Sequence, residues 1–421
     1  MGLIMSNRDD LKKRRFAGLT GLGDLPFHRS GQSFMTPLFC RIGVLILFSL
    51  CLSACTGRSR EAFLVLSDIA AGEGPSRLKE VTPAPQRREH TLGIDGRRYL
   101  ADIYLPGEPA KAALLMVPGA AEKGKNDPRL VSFAKSLARA RFAVLVPDLP
   151  DLKKLQVNSG NIEEIKDLFS WLSQRSNLAP EGRAGIFAFS YSAGPGLVAA
   201  LDPETGPKIK FFFAVGPYYS LDDVLTFFTT GYYEKDGELL HRKPNAYGKW
   251  IFVLSNVDRL SSRRDRELLR AMAERKKNAL EAPLDDLAAQ LGAEGRRVYR
   301  FVTNQDPAMV TELKKDLPPS ILTDLKRLDL ANKDLSKLHC DLIIVHGFDD
   351  DIIPYTQSIA LAEAVPEDRV DLYLVDGLAH VDLEPGLLSK FRLWRAVGNL
   401  LEERSSVPAP ANFSSSFIDT P

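Results

Sequence analysis

The sequence has few cysteines, almost no net charge and no apolar run of transmembrane length. Its 421 residues include four cysteines, and 55 basic against 54 acidic side chains leave a formal net charge of +1. This even balance gives no electrostatic reason to expect a nucleic-acid partner. Metal-ligand spacings, a glycine-rich phosphate loop and internal repeats are also missing from the sequence. We therefore expect no metal, no cofactor and no nucleic acid.

The uncharged run at 42–54 predicts an export signal. Its 13 residues are too few for a transmembrane helix, which needs about 20, and fit the apolar part of a signal peptide. Arg41 precedes the run and Leu52-Ser53-Ala54-Cys55 ends it. This ending resembles the bacterial lipobox, whose cysteine is lipidated and becomes the mature N-terminus. An ordinary signal peptide or a buried helix is the alternative. We expect Cys55 to carry the lipid and to anchor the protein to a membrane of the cell envelope, facing the periplasm or the cell exterior.

The remaining segments outside the predicted fold follow from composition. Residues 35–54 form the predicted signal peptide, and residues 1–34 are interpreted as a leader or a start-site artefact. The Arg14-Arg15 pair lies too far from the apolar run for twin-arginine export. Residues 55–89 are expected to be a linker, and 405–421, rich in Ser, Pro and Ala, a disordered tail. After processing, Cys340 is the one cysteine of the folded part, so an intrachain disulfide is excluded.

Residues 184–197 carry the most chemical information. They read Ala-Gly-Ile-Phe-Ala-Phe-Ser-Tyr-Ser-Ala-Gly-Pro-Gly-Leu, a short apolar strand, a serine and the start of a helix of small residues. Small side chains two residues before and after Ser190 are typical of a nucleophile elbow, where a serine occupies a strained strand-to-helix turn. A plain strand followed by a glycine-rich turn is the non-catalytic interpretation. A second frame would make Ser192 the nucleophile, but Ser190 leaves a strand of ordinary length and is preferred.

The C-terminal third contains an acid and a histidine in the order that such a serine requires. Residues 341–354 read Asp-Leu-Ile-Ile-Val-His-Gly-Phe-Asp-Asp-Asp-Ile-Ile-Pro, so an acidic cluster follows a buried strand. Open α/β sheets place their active sites at that end of the strands. A second strand at 370–375 leads through Gly377 to His380. Either group could instead be an ordinary surface side chain.

These three regions resemble the α/β-hydrolase superfamily over residues 90–404. The resemblance implies a Ser, Asp, His order of the triad. Its most specific part is His346-Gly347-x-x-Asp350-x-x-Ile353-Pro354, which selects Asp350 over its two acidic neighbours and leaves His346 structural. The catalytic residues would then be Ser190, Asp350 and His380.

The same resemblance implies an oxyanion hole. The strand at 112–117 ends in Pro118-Gly119, where the family often has His-Gly, and Ala120-Ala121 follow. A backbone N–H from Ala120 or Ala121, together with that of Tyr191, would stabilise the oxyanion without any side chain.

The element pattern predicts an α/β fold, a mostly parallel central sheet with helices on both faces and a helical cap insertion. The insertion spans 217–338 and is too long for a loop. Aromatic residues cluster at its start and could line an apolar pocket, although packing between cap and core is favoured: Tyr218, Tyr219, Phe227, Phe228, Tyr232 and Tyr233. The predicted strands are 97–105, 114–117, 142–146, 186–189, 209–215, 342–345 and 370–375, and the predicted helices include 130–140, 162–172, 193–200 and 387–402.

The sequence therefore predicts a membrane-anchored serine hydrolase that cleaves an ester-like or amide-like bond of a small-molecule or acyl substrate through an acyl-enzyme. Two alternatives stay open at this point. The same acyl-enzyme could transfer its acyl group to an alcohol or amine. The fold could also serve as a non-catalytic binding module.

Overall fold

The alternation of buried strands and helices predicts a mostly parallel sheet, and the computed structural model contains one. The model describes residues 57–379, 382–383 and 386–404, which belong to one compact unit. Its strands are β1 (Gln86–Ile94), β2 (Arg97–Leu105), β3 (Ala112–Val117), β4 (Phe142–Asp148), β5 (Ala184–Phe189), β6 (Ile209–Val215), β7 (Tyr232–Lys235), β8 (Glu238–His241), β9 (Asp341–Gly347), β10 (Val370–Val375), β11 (Leu378–Ala379) and β12 (Asp382–Leu383).

Eight of these strands form the central sheet in the order β1-β2-β4-β3-β5-β6-β9-β10. The β1–β2 and β2–β4 pairs are antiparallel, and every other neighbouring pair is parallel. Asp95 and Gly96 join β1 to β2 with φ angles of 47° and 80°, as a two-residue hairpin with two left-handed positions requires. The predicted fold class is confirmed, and β5, β6 and β9 lie side by side with their carboxyl ends at one edge.

Helices cover both faces of this sheet, and further helices form most of the insertion. They are α1 (57–71), α2 (Arg77–Val81), α3 (Pro128–Arg139), α4 (Pro150–Lys153), α5 (Gly160–Ser173), α6 (Ala193–Ala200), α7 (Leu221–Thr230), α8 (Tyr247–Asn256), α9 (Arg263–Asn278), α10 (Asp285–Ala288), α11 (Ala293–Thr303), α12 (Val310–Lys315), α13 (Pro319–Leu328), α14 (Thr356–Glu363) and α15 (Leu387–Glu402). Within the described ranges, no helix is long and apolar enough to cross a membrane.

The side chains of β3 show how the two layers of the core arise. Strand residues alternate between faces, so Ala113, Leu115 and Val117 pack with α5, α6 and the insertion. Leu114 and Met116 point the other way and pack with α1, α3 and α15. Since both faces of β3 are fully buried, the strand is a continuous apolar run.

The segment expected to be a linker belongs to the domain as far as the structure describes it. Residues 57–71 are helical, and Ala62 and Val65 are buried in the core. Two polar contacts hold this helix: Arg404 lies 2.7 Å from the partly exposed Glu61, and Ser136 Oγ donates to the buried Asp68 at 2.7 Å. The apolar run at 62–66 lies within this helix, which the linker prediction did not anticipate.

The insertion is largely helical, as the sequence predicts, and contains α7 to α13. It also contains the β7–β8 hairpin, which the sequence analysis did not identify. Several of its aromatic side chains pack against one another, including Phe228 against Phe252 at 5.5 Å between ring centroids and Phe227 against Tyr233 at 5.8 Å. These contacts favour the packing interpretation of the aromatic cluster.

Candidate functional site

Ser190 adopts a backbone conformation that a serine rarely adopts. It follows the last residue of β5 and begins a single 3₁₀ turn, Ser190–Ser192, that leads into α6. Its φ is 52°, in the left-handed region, which costs a non-glycine residue about 1–3 kcal/mol. Such strain at a strand-to-helix turn is the hallmark of a nucleophile elbow.

Close packing behind the turn explains the small residues around Ser190. A Cβ on Gly196 of α6 would come within 2.9 Å of the Phe212 ring on β6 and 3.9 Å of the Ala188 side chain on β5. A Cβ on Gly194 would overlap the Tyr218 hydroxyl. The helix therefore lies directly against β5 and β6, which leaves little room for larger side chains in the turn.

Ser192 lies inside the protein and is occupied by local hydrogen bonds. Its side chain is fully buried. Its hydroxyl donates to the carbonyl of Phe189 at 2.8 Å and accepts from the N–H of Phe189 at 3.2 Å. These bonds close the turn around Ser190, whereas Ser190 itself is partly exposed. The geometry therefore favours Ser190 over Ser192 as the candidate nucleophile.

The Asp350 carboxylate is held at the carboxyl end of β9. It is buried, and one of its oxygens accepts from the N–H groups of Ile352 at 2.8 Å and Ile353 at 2.9 Å. Its other oxygen lies 3.5 Å from the position that a Cβ on Gly216, directly after β6, would take. Among the three acidic neighbours, Asp349 is exposed and Asp351 half-buried. Asp350 is thus the member of the cluster with a fixed, interior carboxylate.

His346 is buried beneath residues 348–354, here named the acid loop, which is consistent with a structural role. Its Nε2 lies 2.9 Å from the carbonyl of Ile353 and its Nδ1 lies 2.6 Å from the Ser358 hydroxyl. Because the carbonyl oxygen of Ile353 can only accept, we assign the ring proton to Nε2. Nδ1 then accepts from the Ser358 hydroxyl. The same Nε2 lies 3.4 Å from Asp350. His346 therefore fixes the backbone that presents the carboxylate.

Tyr191 links the elbow to the acid loop. Burial and, to a smaller extent, the negative charge of Asp350 raise the pKa of its hydroxyl above the ordinary value. Its ring lies 6.0 Å from that of Tyr218. Its backbone N–H belongs to the first turn of a helix, where N–H groups have no intrahelical partner. That N–H is thus a candidate oxyanion donor.

The loop after β3 passes beside the elbow. A Cβ on Gly119 would lie 3.6 Å from the Phe189 side chain, one residue before Ser190. Ala120 and Ala121 are half-buried, and neither uses its N–H in a hydrogen bond to another described residue. The carbonyl of Ala121 accepts from Gly124 at 2.9 Å. Both alanine N–H groups thus remain candidates for the second oxyanion donor.

His380 lies outside the described residues, but the chain on either side of it is described. β11 pairs with β12 in antiparallel register, Leu378 opposite Leu383 and Ala379 opposite Asp382. The carbonyl of Leu378 lies 2.5 Å from the position that a Cβ on Gly347 would take. The residues before His380 therefore contact the end of β9, three residues from Asp350.

The sequence analysis missed two residues of the insertion that hold the acid loop. The Arg242 guanidinium donates to the carbonyls of Phe348 at 2.6 Å and Asp350 at 3.2 Å. The N–H of Asn245 donates to the carbonyl of Asp351 at 2.8 Å. These contacts join residues more than 100 positions apart, and no local pattern around Arg242 or Asn245 announces them.

A cleft of about 390 Å³ lies between the insertion and two segments of the core, Glu122 after β3 and residues 153–156. Most of its lining is charged, and it includes Glu122, directly after Ala121. Lys277 of α9 lies 2.7 Å from Glu122 and 3.0 Å from Glu274, and these carboxylates raise the pKa of Lys277. In the part of the chain that the structure describes, no cluster of His, Cys, Asp and Glu could hold a metal ion.

The strand order of the central sheet and the strained turn at Ser190 match the α/β-hydrolase fold. No protein-family profile and no curated protein matches the chain. Solved structures that resemble it include 2,6-dihydroxy-pseudo-oxynicotine hydrolase (15% identity, TM-score 0.42, 75% of this chain and 68% of that chain). Another is a dienelactone hydrolase from Anabaena variabilis (12% identity, TM-score 0.41, 76% of this chain and 98% of that chain). A third is an esterase from Pyrococcus furiosus (12% identity, TM-score 0.42, 76% of this chain and 91% of that chain).

Proposed function

We propose that this protein is a serine hydrolase that cleaves a carboxylic ester, or a related amide, through an acyl-enzyme. The observation that carries the proposal is the left-handed conformation of Ser190 between β5 and α6. Strain of this kind persists where the surrounding structure requires it, and it clusters at active sites. In this fold the strained turn raises the serine hydroxyl above the end of the sheet, where a substrate can reach it.

In the proposed reaction, Ser190 Oγ attacks the carbonyl carbon while His380 accepts the hydroxyl proton. The N–H groups of Tyr191 and of Ala120 or Ala121 stabilise the oxyanion that forms. His380 then returns the proton to the leaving alcohol, which departs and leaves the acyl group on Ser190. A water molecule, deprotonated by His380, then attacks the acyl carbon. The bond to Ser190 Oγ breaks, His380 returns the proton to Oγ, and the acid is released.

Asp350 has the supporting part in this reaction. It orients His380 and stabilises its protonated form. Three features support the assignment: the carboxylate is buried, two backbone N–H groups fix it, and the chain leading to His380 contacts Gly347.

Pre-steady-state kinetics with a p-nitrophenyl ester test the acyl-enzyme. We expect a burst of about one p-nitrophenolate per active site, followed by slower turnover, because formation and hydrolysis of an acyl-enzyme are separate steps. Ser190→Ala should abolish both phases. An added alcohol or amine that diverts the acyl group into a new ester or amide would favour the transferase alternative. Wild-type protein without any burst or turnover on a panel of esters would favour a binding module.

We also propose that a lipid on Cys55 anchors the protein to a membrane. Cys55 and the run at 42–54 lie outside the described residues, so the support comes from the lipobox-like sequence. Metabolic labelling with palmitate should mark the wild type, and Cys55→Ser should remove the label. High salt should not release the wild type, since its near-neutral charge offers little electrostatic attachment. Unlipidated wild-type protein in the soluble fraction would contradict the anchor and leave the hydrolase proposal standing.

A further inference from the structure

The start of α15 presents large apolar side chains to solvent. Leu387 is 88% exposed, Leu388 59% and Phe391 51%. The Phe391 ring contacts that of Trp394 at 5.4 Å. Residues three, four and seven positions apart share one side of a helix, so Leu387, Leu388, Phe391 and Trp394 form a continuous surface, here named the α15 apolar face.

Trp394 is partly buried against the core, but the rest of the α15 apolar face is separate from the side of the helix that packs on the sheet. Ser389, Ala396, Val397 and Leu400 point inward and are buried. The Ser389 hydroxyl accepts from the N–H of Asp376 at 2.8 Å, which fixes the first turn of the helix at the end of β10. The exposed apolar side chains are therefore not needed to hold the helix in place. A contiguous exposed apolar patch usually marks an interaction site.

Cationic side chains border this face. At 100° per residue, Lys390 lies to one side of Leu387 and Phe391, and Arg395 lies between Phe391 and Leu388. The Arg395 guanidinium lies 5.9 Å from the centre of the Tyr373 ring on β10. Before Glu402 in its last turn, α15 contains three basic residues, Lys390, Arg392 and Arg395, and no acidic residue. A helix with an exposed apolar stripe between basic side chains is typical of contact with an anionic lipid surface.

The point where the described chain begins lies beside the same face. Trp394 Nε1 donates to the carbonyl of Ser59 at 2.8 Å, and Arg58 pairs with Glu402 at 2.9 Å. Ser59 follows Cys55 by four residues, which would span at most about 14 Å even if all were extended. Residues 57–59 are helical, which makes the distance shorter. A lipid on Cys55 would thus hold the bilayer close to the α15 apolar face.

We propose that the α15 apolar face is a membrane-contact surface that rests on an anionic phospholipid bilayer. The orientation rests on the proposed anchor at Cys55. Insertion of Leu387, Leu388 and Phe391 among the acyl chains removes their apolar area from water, while Lys390 and Arg395 meet lipid phosphates. Gly386, directly before α15, then borders the lipid surface. The candidate active site would draw amphipathic esters from that surface.

An environment-sensitive fluorophore on a single cysteine tests this surface. The test uses the full lipidated protein carrying Leu388→Cys, labelled with nitrobenzoxadiazole and reconstituted in phosphatidylglycerol vesicles. Cys340 is buried and should not react. Leu239→Cys in β8 is the matched control, because Leu239 is also 59% exposed. We expect a blue shift and a several-fold rise in emission at position 388 with vesicles, and little change at position 239.

The charge part of the proposal has its own variant. Lys390→Glu with Arg395→Glu should lower the emission gain at position 388 in phosphatidylglycerol to the level seen in phosphatidylcholine. A probe at 388 that stays in water on vesicles carrying the protein would overturn the proposal. So would a probe that is already shielded without lipid, since another part of the chain or a second copy would then cover the face. Failure of the Cys55 anchor is distinguished by flotation, because unanchored protein would not float with the vesicles.

Discussion

Strain at Ser190 predicts that glycine gives a more stable protein than alanine at this position. Loss of the hydroxyl alone would not produce that order. Replacing Ser190 by alanine or by glycine removes the same hydroxyl, but only glycine removes the Cβ. In the left-handed region the Cβ costs about 1–2 kcal/mol. The greater freedom of glycine in the unfolded chain offsets about 0.4–1 kcal/mol of that gain. Ser190→Gly should therefore be more stable than Ser190→Ala by about 1 kcal/mol, within a range of about 0 to 1.6 kcal/mol.

Ser192 provides the matched control two residues away. Its φ is −72° and its ψ −14°, a conformation that alanine adopts without strain. There Ser192→Gly should be less stable than Ser192→Ala by about 0.5–1 kcal/mol. The two pairs can be compared by denaturant unfolding, or by thermal midpoints at one scan rate if unfolding is irreversible. If glycine is the less stable variant at both positions, Ser190 is not strained and the elbow is refuted.

Two further predictions concern the acid loop, and a third concerns Glu403, near the first residue of β9. Asp350→Asn should lower kcat about 10³–10⁴-fold, because an amide favours the wrong histidine tautomer, whereas Asp349→Asn and Asp351→Asn should have small effects; equal losses in all three would refute the choice of Asp350. Arg242→Met should lower kcat/KM about 10- to 100-fold by releasing the loop that positions the carboxylate. Burial and the nearby Asp341 raise the pKa of Glu403 to about 7, so ionisation of Glu403 opposes folding as the pH rises from about 4 to 7. Glu403→Gln should raise the thermal midpoint at pH 8 and leave it unchanged at pH 4.

Controls separate these effects from general destabilisation. Lys243 is exposed and adjacent to Arg242, so Lys243→Met should preserve kcat/KM. An equal loss in both variants would show that the insertion is merely destabilised. For Glu403, a thermal midpoint that rises equally at both pH values would refute the titration argument.

Local patterns predicted the elements that have strong local signals. β6, α6 and α15 begin and end where the apolar periodicity and the small residues place them. The β7–β8 hairpin escaped because its strands have four residues each and lie within a helical segment. Residues 57–71 escaped because they directly follow the proposed lipid site, where a linker is expected, although 62–66 is a continuous apolar run.

The candidate site was predictable only where chemistry follows chain order. A serine in a small-residue turn and an acidic cluster after a buried strand have fixed local settings, so both could be proposed from the sequence. The choice of Asp350 within that cluster came from the family resemblance. The contact of Arg242 with the acid loop depends on how the insertion packs, which no periodicity encodes. Cys55 and His380 lie outside the described residues and stay predictions from the sequence.

The most direct test of the account is covalent labelling with a fluorophosphonate probe, with the modified peptide identified by mass spectrometry. The account predicts one adduct per chain, on Ser190, that is lost in Ser190→Ala and retained in Ser192→Ala. The latter variant must first be shown to be folded, because Ser192 holds the turn through Phe189. An adduct on Ser192 would transfer the nucleophile to the second frame, and a wild-type protein that takes up no probe would contradict the hydrolase proposal.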